Sequence, residues 1–131
     1  MSATHTQLKL LVVDDHESVL GGTVSALEKE YPNADIRTAA TAQATKASLA
    51  YGVPNVLVMD LSIPEAAGGP SEIDAGIELL RSLLDTYPEL NIVVQSAHVR
   101  SLVRLKPAID THQGGFTIAD KNLPMKEMLT K

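Results

Sequence analysis

The strongest constraint on this chain is a repeated unit: a short, almost wholly apolar run, a polar residue at its end, then a segment with helical spacing. Residues 8–13, Leu-Lys-Leu-Leu-Val-Val, open the series and stop at Asp14-Asp15. Residues 56–59, Val-Leu-Val-Met, pass straight into Asp60, and Ile92-Val-Val94 ends at Gln95-Ser96. Runs that are apolar at nearly every position mark strands covered on both faces, as in a parallel sheet. Shorter runs at 36–39 and 116–119 predict two more strands.

The intervening segments carry helical spacing. Residues 18–30 place Val19, Leu20, Val24 and Leu27 on one side, weakened by Gly21-Gly22 at about 1 kcal/mol each relative to Ala, and Pro32 ends them. An Ala-rich helix at 42–50 is terminated by Gly52 and Pro54. A third at about 75–87 aligns Ile77, Leu80 and Leu84 beside Leu79 and Leu83, and stops at Pro88. A fourth is expected within 99–111, broken or kinked at Pro107, which lacks an amide donor. Asn122 caps a last short helix from Leu123, with Pro124 in its first turn.

Five strands alternating with five helices imply right-handed crossovers and a parallel sheet with helices on both faces. In such sheets the binding crevice lies at the carboxyl ends of the strands. The polar residues there are Asp14 and Asp15 after strand one, Asp60 after strand three, Ser96 after strand four and Lys121 after strand five. Taken singly, each has a plain structural role: an Asp or Ser after a strand caps the next helix, and a Lys is solvated charge. Taken together, three carboxylates at one sheet edge are costly unless a cation neutralises them. With oxygen ligands and no Cys, that cation is Mg2+. The chemistry this predicts is phosphoryl transfer onto a carboxylate, with Asp60 as nucleophile. Asp15 binds the metal directly and Asp14 through water, Ser96 donates a hydrogen bond to the phosphoryl group, and Lys121 pairs with it. Ala97 is small and keeps the acceptor open.

Composition narrows the alternatives. Eleven basic and sixteen acidic residues leave a net charge of −5, which disfavours binding of nucleic acid or an anionic membrane by this segment. The absence of Cys excludes disulfides, thiolate zinc sites and Cys nucleophiles. The longest apolar run, Leu10-Leu-Val-Val13, is far short of the roughly 20 residues a membrane span needs, and the first residues show no secretory signal. A single cytoplasmic domain over residues 1–131, either part of a longer regulator or a stand-alone unit, is the expectation.

The segments Leu-Val-Val-Asp14-Asp15-His16, Val-Leu-Val-Met-Asp60-Leu-Ser-Ile-Pro64, Val-Val-Gln-Ser96-Ala97 and Ala-Asp-Lys121 resemble, in order and over essentially the whole chain, the receiver domains of two-component response regulators. The resemblance implies a flavodoxin-like (βα)5 fold with a doubly wound five-stranded parallel sheet in the order 2-1-3-4-5. It implies a signalling domain that is not an enzyme, phosphorylated on Asp60 by a histidine kinase, a phosphotransfer protein or a small-molecule donor. Mg2+ is the implied cofactor, with the backbone carbonyl of Ser62 as a further ligand beside Asp14, Asp15 and Asp60. An effector domain or a receiver homodimer is the implied output. Asp-Asp-His16 followed by a Val-Leu-Gly-Gly helix is similar to receivers linked to helix-turn-helix domains, which implies control of transcription.

Three departures stand out. The family's Gly lies about four residues beyond the Pro, whereas Gly76 lies twelve beyond Pro64, so this loop carries roughly eight extra residues: a partner surface, a cover over the site, or an inert insertion. The aromatic three positions before the Lys is replaced by Ile118, with Phe116 two residues earlier at the same strand parity. Asn122 stands where the family has Pro after the Lys, in a cis bond that a non-Pro residue disfavours by about 2.5–4 kcal/mol. The loop and the missing aromatic leave open an atypical receiver that acts as a phosphorylation-independent interaction module. An aspartyl phosphatase is disfavoured, because such enzymes carry Asp-x-Asp after strand one and here the acids are adjacent. His16 is expected as an exposed residue at a helix start, and Arg100, Arg104 and Lys106 as a solvated basic strip. Leu102, Val103 and Leu105 are expected in the core or at a dimer contact.

Overall fold

A computed structural model describes residues 7–120; Lys121, Asn122 and the helix expected from Leu123 lie outside the described residues. Five strands, β1 (Lys9–Val13), β2 (Asp35–Ala39), β3 (Val56–Asp60), β4 (Asn91–Ser96) and β5 (Phe116–Asp120), form one sheet. All pair in parallel, in the order β2-β1-β3-β4-β5. Helices α1 (Glu17–Glu30), α2 (Ala42–Tyr51) and α3 (Ile73–Thr86) follow the first three strands.

Side-chain alternation along the strands divides the interior into two layers. Leu11 and Val13 of β1 point, with Leu57, Met59, Ile92 and Val94, into the larger core under α2, α3 and the segment after β4. Leu10 and Val12 point to the other face, where Leu27 of α1 covers them and Leu20 and Val24 pack alongside. The central strands are apolar at successive positions because both faces are covered.

Two expectations are refined. The segment after β4 is a 3-10 helix over Val99–Leu105 followed by a short α4 (Lys106–Asp110). The segment is thus divided next to Pro107, as expected, and Pro107 falls in the first turn of α4, where its missing amide costs nothing. Leu102 and Leu105 are buried in the core, while Val103 is exposed. Arg104 is not simply solvated: it reaches Asp74 at the start of α3, with nitrogen and oxygen 2.9 Å apart. No helix among the described residues is long and apolar enough to cross a membrane.

Candidate functional site

Strand ends and the turns after them deliver the acidic residues. β1 stops at Val13, and Asp14 and Asp15 occupy the turn before α1. Asp14 is buried, and its Oδ1 accepts the His16 amide at 3.0 Å. The N-cap of α1 is His16, with no side chain capping it, so neither acid is spent on that role. Asp60, last residue of β3, is equally buried, and its Oδ1 accepts the Ser62 amide at 3.2 Å, which fixes the rotation of the carboxylate.

These turns bring Asp14, Asp15, His16 and Asp60 together, with one ligating atom from each within 4.8 Å of the others. His16 is exposed, as expected, yet its Nδ1 lies 3.3 Å from Asp14 Oδ1 and 3.2 Å from Asp15 Oδ1. Asp15 Oδ1 is buried and accepts no hydrogen bond among the described residues. A buried carboxylate oxygen that accepts no hydrogen bond among the described residues, beside two further carboxylates, fits a hard divalent cation that takes oxygen ligands. The predicted ligands Asp14, Asp15 and Asp60 are thus brought together.

Ser96 ends β4 one residue past Gln95, the partner of Asp60 in the sheet register. It is buried, and its Oγ accepts the His98 amide at 2.8 Å, which shapes the turn into the 3-10 helix. It stands at the same sheet edge as the acids. The aromatic position is resolved differently from the family pattern. Phe116 packs against the larger core, and Ile118 is 47% exposed. In the β4–β5 register Phe116 pairs with Ile92, four residues below Ser96, which is about 13 Å along a strand. Phe116 therefore does not replace the missing aromatic.

The extended loop between β3 and α3 is anchored at both limbs. The carbonyls of Pro64 and Glu65 accept the first amides of α2, Ala42 and Gln43, each at 2.9 Å. A backbone bridge joins Ile63 to Glu72, where the Glu72 amide donates to the Ile63 carbonyl at 3.1 Å. Next to that bridge, the Ser71 hydroxyl donates to Asp15 Oδ2. The loop thus reaches the acidic cluster. Nothing in the sequence singles out Ser71, because a Ser after Gly-Gly-Pro carries no sign of a partner 56 residues away.

The chain matches the response regulator receiver domain family over residues 10–129, and it belongs to that family. It is a receiver domain of the two-component signalling class. It is 29% identical over 114 residues to the DNA-binding transcriptional activator DevR/DosR of Mycobacterium tuberculosis (strain ATCC 25618 / H37Rv), covering 86% of this chain and 48% of that protein. It therefore spans about half the length of that curated relative. Among solved structures it is similar to a CheY-like receiver domain protein from Methanospirillum hungatei JF-1, with a TM-score of 0.76, 21% identity, and coverage of 95% of this chain and 90% of that one. It is also similar to a response regulator from Burkholderia pseudomallei that holds a phosphorylated aspartic acid, a calcium ion and citrate, with a TM-score of 0.71, 19% identity, and coverage of 95% and 65%.

Proposed function

We propose that this receiver accepts a phosphoryl group on Asp60 and, so modified, changes the surface it offers to an effector or partner. The observation that carries this reading is the gathering of three carboxylates within 4.8 Å at the carboxyl edge of the sheet in a chain of this family. A carboxylate oxygen of Asp60 attacks the phosphorus of the donor. The bond from phosphorus to the donor breaks, whether that donor is a phosphohistidine of a kinase or phosphotransfer protein or a small acyl phosphate. The donor atom leaves with the electron pair, and Asp60 becomes an acyl phosphate. Asp15, Asp60 and the Ser62 carbonyl would hold Mg2+, with Asp14 linked to it through water, and the bound ion would neutralise charge on the phosphoryl oxygens. The Ser96 hydroxyl donates to one of those oxygens, and Lys121 pairs with another.

A shift of the resting state from 1:99 to 99:1 needs about 5.5 kcal/mol of differential stabilisation. A few charge-assisted bonds supply part of that, and docking of a partner or a second receiver supplies the rest. The activator relative supports control of transcription, and the phosphorylated aspartic acid and calcium ion in the Burkholderia neighbour support this chemistry. The test is incubation with acetyl phosphate and Mg2+ followed by mass analysis, with Asp60→Asn as control. Loss of labelling in the variant is expected, and labelling of Asp60→Asn to the wild-type extent overturns the assignment.

A second reading, a receiver that signals through protein contacts without phosphate turnover, has one observation in its favour. Phe116 is half-buried against the core and Ile118 is aliphatic and exposed, so the aromatic that couples to the residue at the Ser96 position elsewhere in the family is missing. Failure of any residue to take up phosphate in the same experiment favours it.

A further inference from the structure

We propose that Ser71, carried by the extended loop, is a positioning residue for the Asp15 carboxylate and sets the affinity of the acidic cluster for Mg2+; this rests on the reading of that cluster as the metal site. Its hydroxyl donates to Asp15 Oδ2, while Asp15 Oδ1 is buried beside Asp14, His16 and Asp60 and accepts no hydrogen bond among the described residues. One oxygen is held from the loop, and the other lies 3.2 Å from His16 Nδ1, which is itself 3.3 Å from Asp14 Oδ1. A carboxylate whose outer oxygen is hydrogen-bonded loses less rotational freedom when its inner oxygen takes a metal.

The loop is built to hold this contact. Its first limb is tied to α2 through Pro64 and Glu65, and its second to Ile63 through Glu72, the residue after Ser71. Between them the chain turns at 66–69, where the Gly69 amide donates to the Ala66 carbonyl at 3.0 Å and Gly68 adopts φ 84°. Positive φ is open to glycine at no steric cost. The extra residues thus return Ser71 to the site on a backbone fixed at both ends, and the insertion is not inert.

The test compares Mg2+ binding, measured by isothermal titration of the full chain with MgCl2, in wild type and in Ser71→Ala, Ser71→Val and Ser71→Thr. Thr and Val share a shape and differ by the hydroxyl. Loss of the hydroxyl is expected to weaken Mg2+ binding by roughly 10- to 100-fold in the Ala and Val variants. Ser71→Thr is expected to retain wild-type affinity, and melting temperatures without metal are expected to stay together across the set. Equal affinity in wild type and Ser71→Val overturns the proposal, and tighter binding in Ser71→Ala overturns it by making the hydroxyl a competitor of the ion. A wild-type chain that binds no Mg2+ overturns the reading of the cluster itself, and the inference with it.

Discussion

Gly76 of α3 packs directly on the backbone of Leu61, the residue after Asp60: a Cβ built on Gly76 would lie 1.8 Å from the Leu61 carbonyl oxygen and 2.5 Å from its carbon. The obstacle is backbone, so the helix or the turn that carries Asp60 must move to admit any side chain. Gly76→Ala is expected to destabilise the domain by about 2 kcal/mol or more, read from the denaturant midpoint. Because the displaced segment follows Asp60, Mg2+ affinity should fall as well.

Gly21 and Gly22 are the opposite case. Both lie within α1, and a Cβ on either meets nothing within 4 Å. Only the conformational cost of helical glycine remains, so Gly21→Ala and Gly22→Ala are each expected to stabilise by about 0.5–1 kcal/mol. Thermal unfolding checks this, and destabilisation by either change would show a role for these glycines outside the helix.

Magnesium is expected to stabilise the wild-type fold by mass action. At a concentration 100 times Kd the gain is about 2.7 kcal/mol, on the order of 10 °C in Tm for a domain of this size. Asp15→Asn, which removes one of the clustered carboxylates, is expected to abolish most of that shift, as scanning calorimetry with and without MgCl2 would reveal.

Phe116 is expected to matter for stability and not for switching. Phe116→Ala removes a half-buried ring from the larger core, at about 2–3 kcal/mol, while uptake of phosphate at a temperature where the variant is folded should match wild type. Ile118→Ala, at an exposed position, should cost about 1 kcal/mol or less. A change in labelling rate with Phe116→Ala under folded conditions would restore the ring to a switching role.

Much of the fold is legible because the central strands are apolar at successive positions, from Leu10 to Val13 and from Leu57 to Met59, which only a doubly covered sheet requires. Polar strand ends are not: Asp35 and Asn91 belong to β2 and β4 because they pair with Lys9 and Val56 across the sheet. The start of α3 at Ile73 follows from the bridge between Ile63 and Glu72, a long-range contact with no local signature. At the site, Asp14, Asp15 and Asp60 are legible as residues that close strands, since strand direction alone puts them at one edge. The two contacts on Asp15 are not. His16 reads as an exposed helix start and is one, but adjacency does not say that its ring turns back to both acids. Ser71 reaches Asp15 only through the path of a loop pinned to α2 and, through Glu72, to Ile63.

The most direct measurement is site mapping by mass spectrometry after incubation of the full chain with acetyl phosphate, with and without Mg2+. One phosphoryl group on the peptide containing Asp60, dependent on Mg2+ and absent from Asp60→Asn, is the expected result. Phosphate on another residue, or undiminished labelling of Asp60→Asn, would contradict Asp60 as the acceptor.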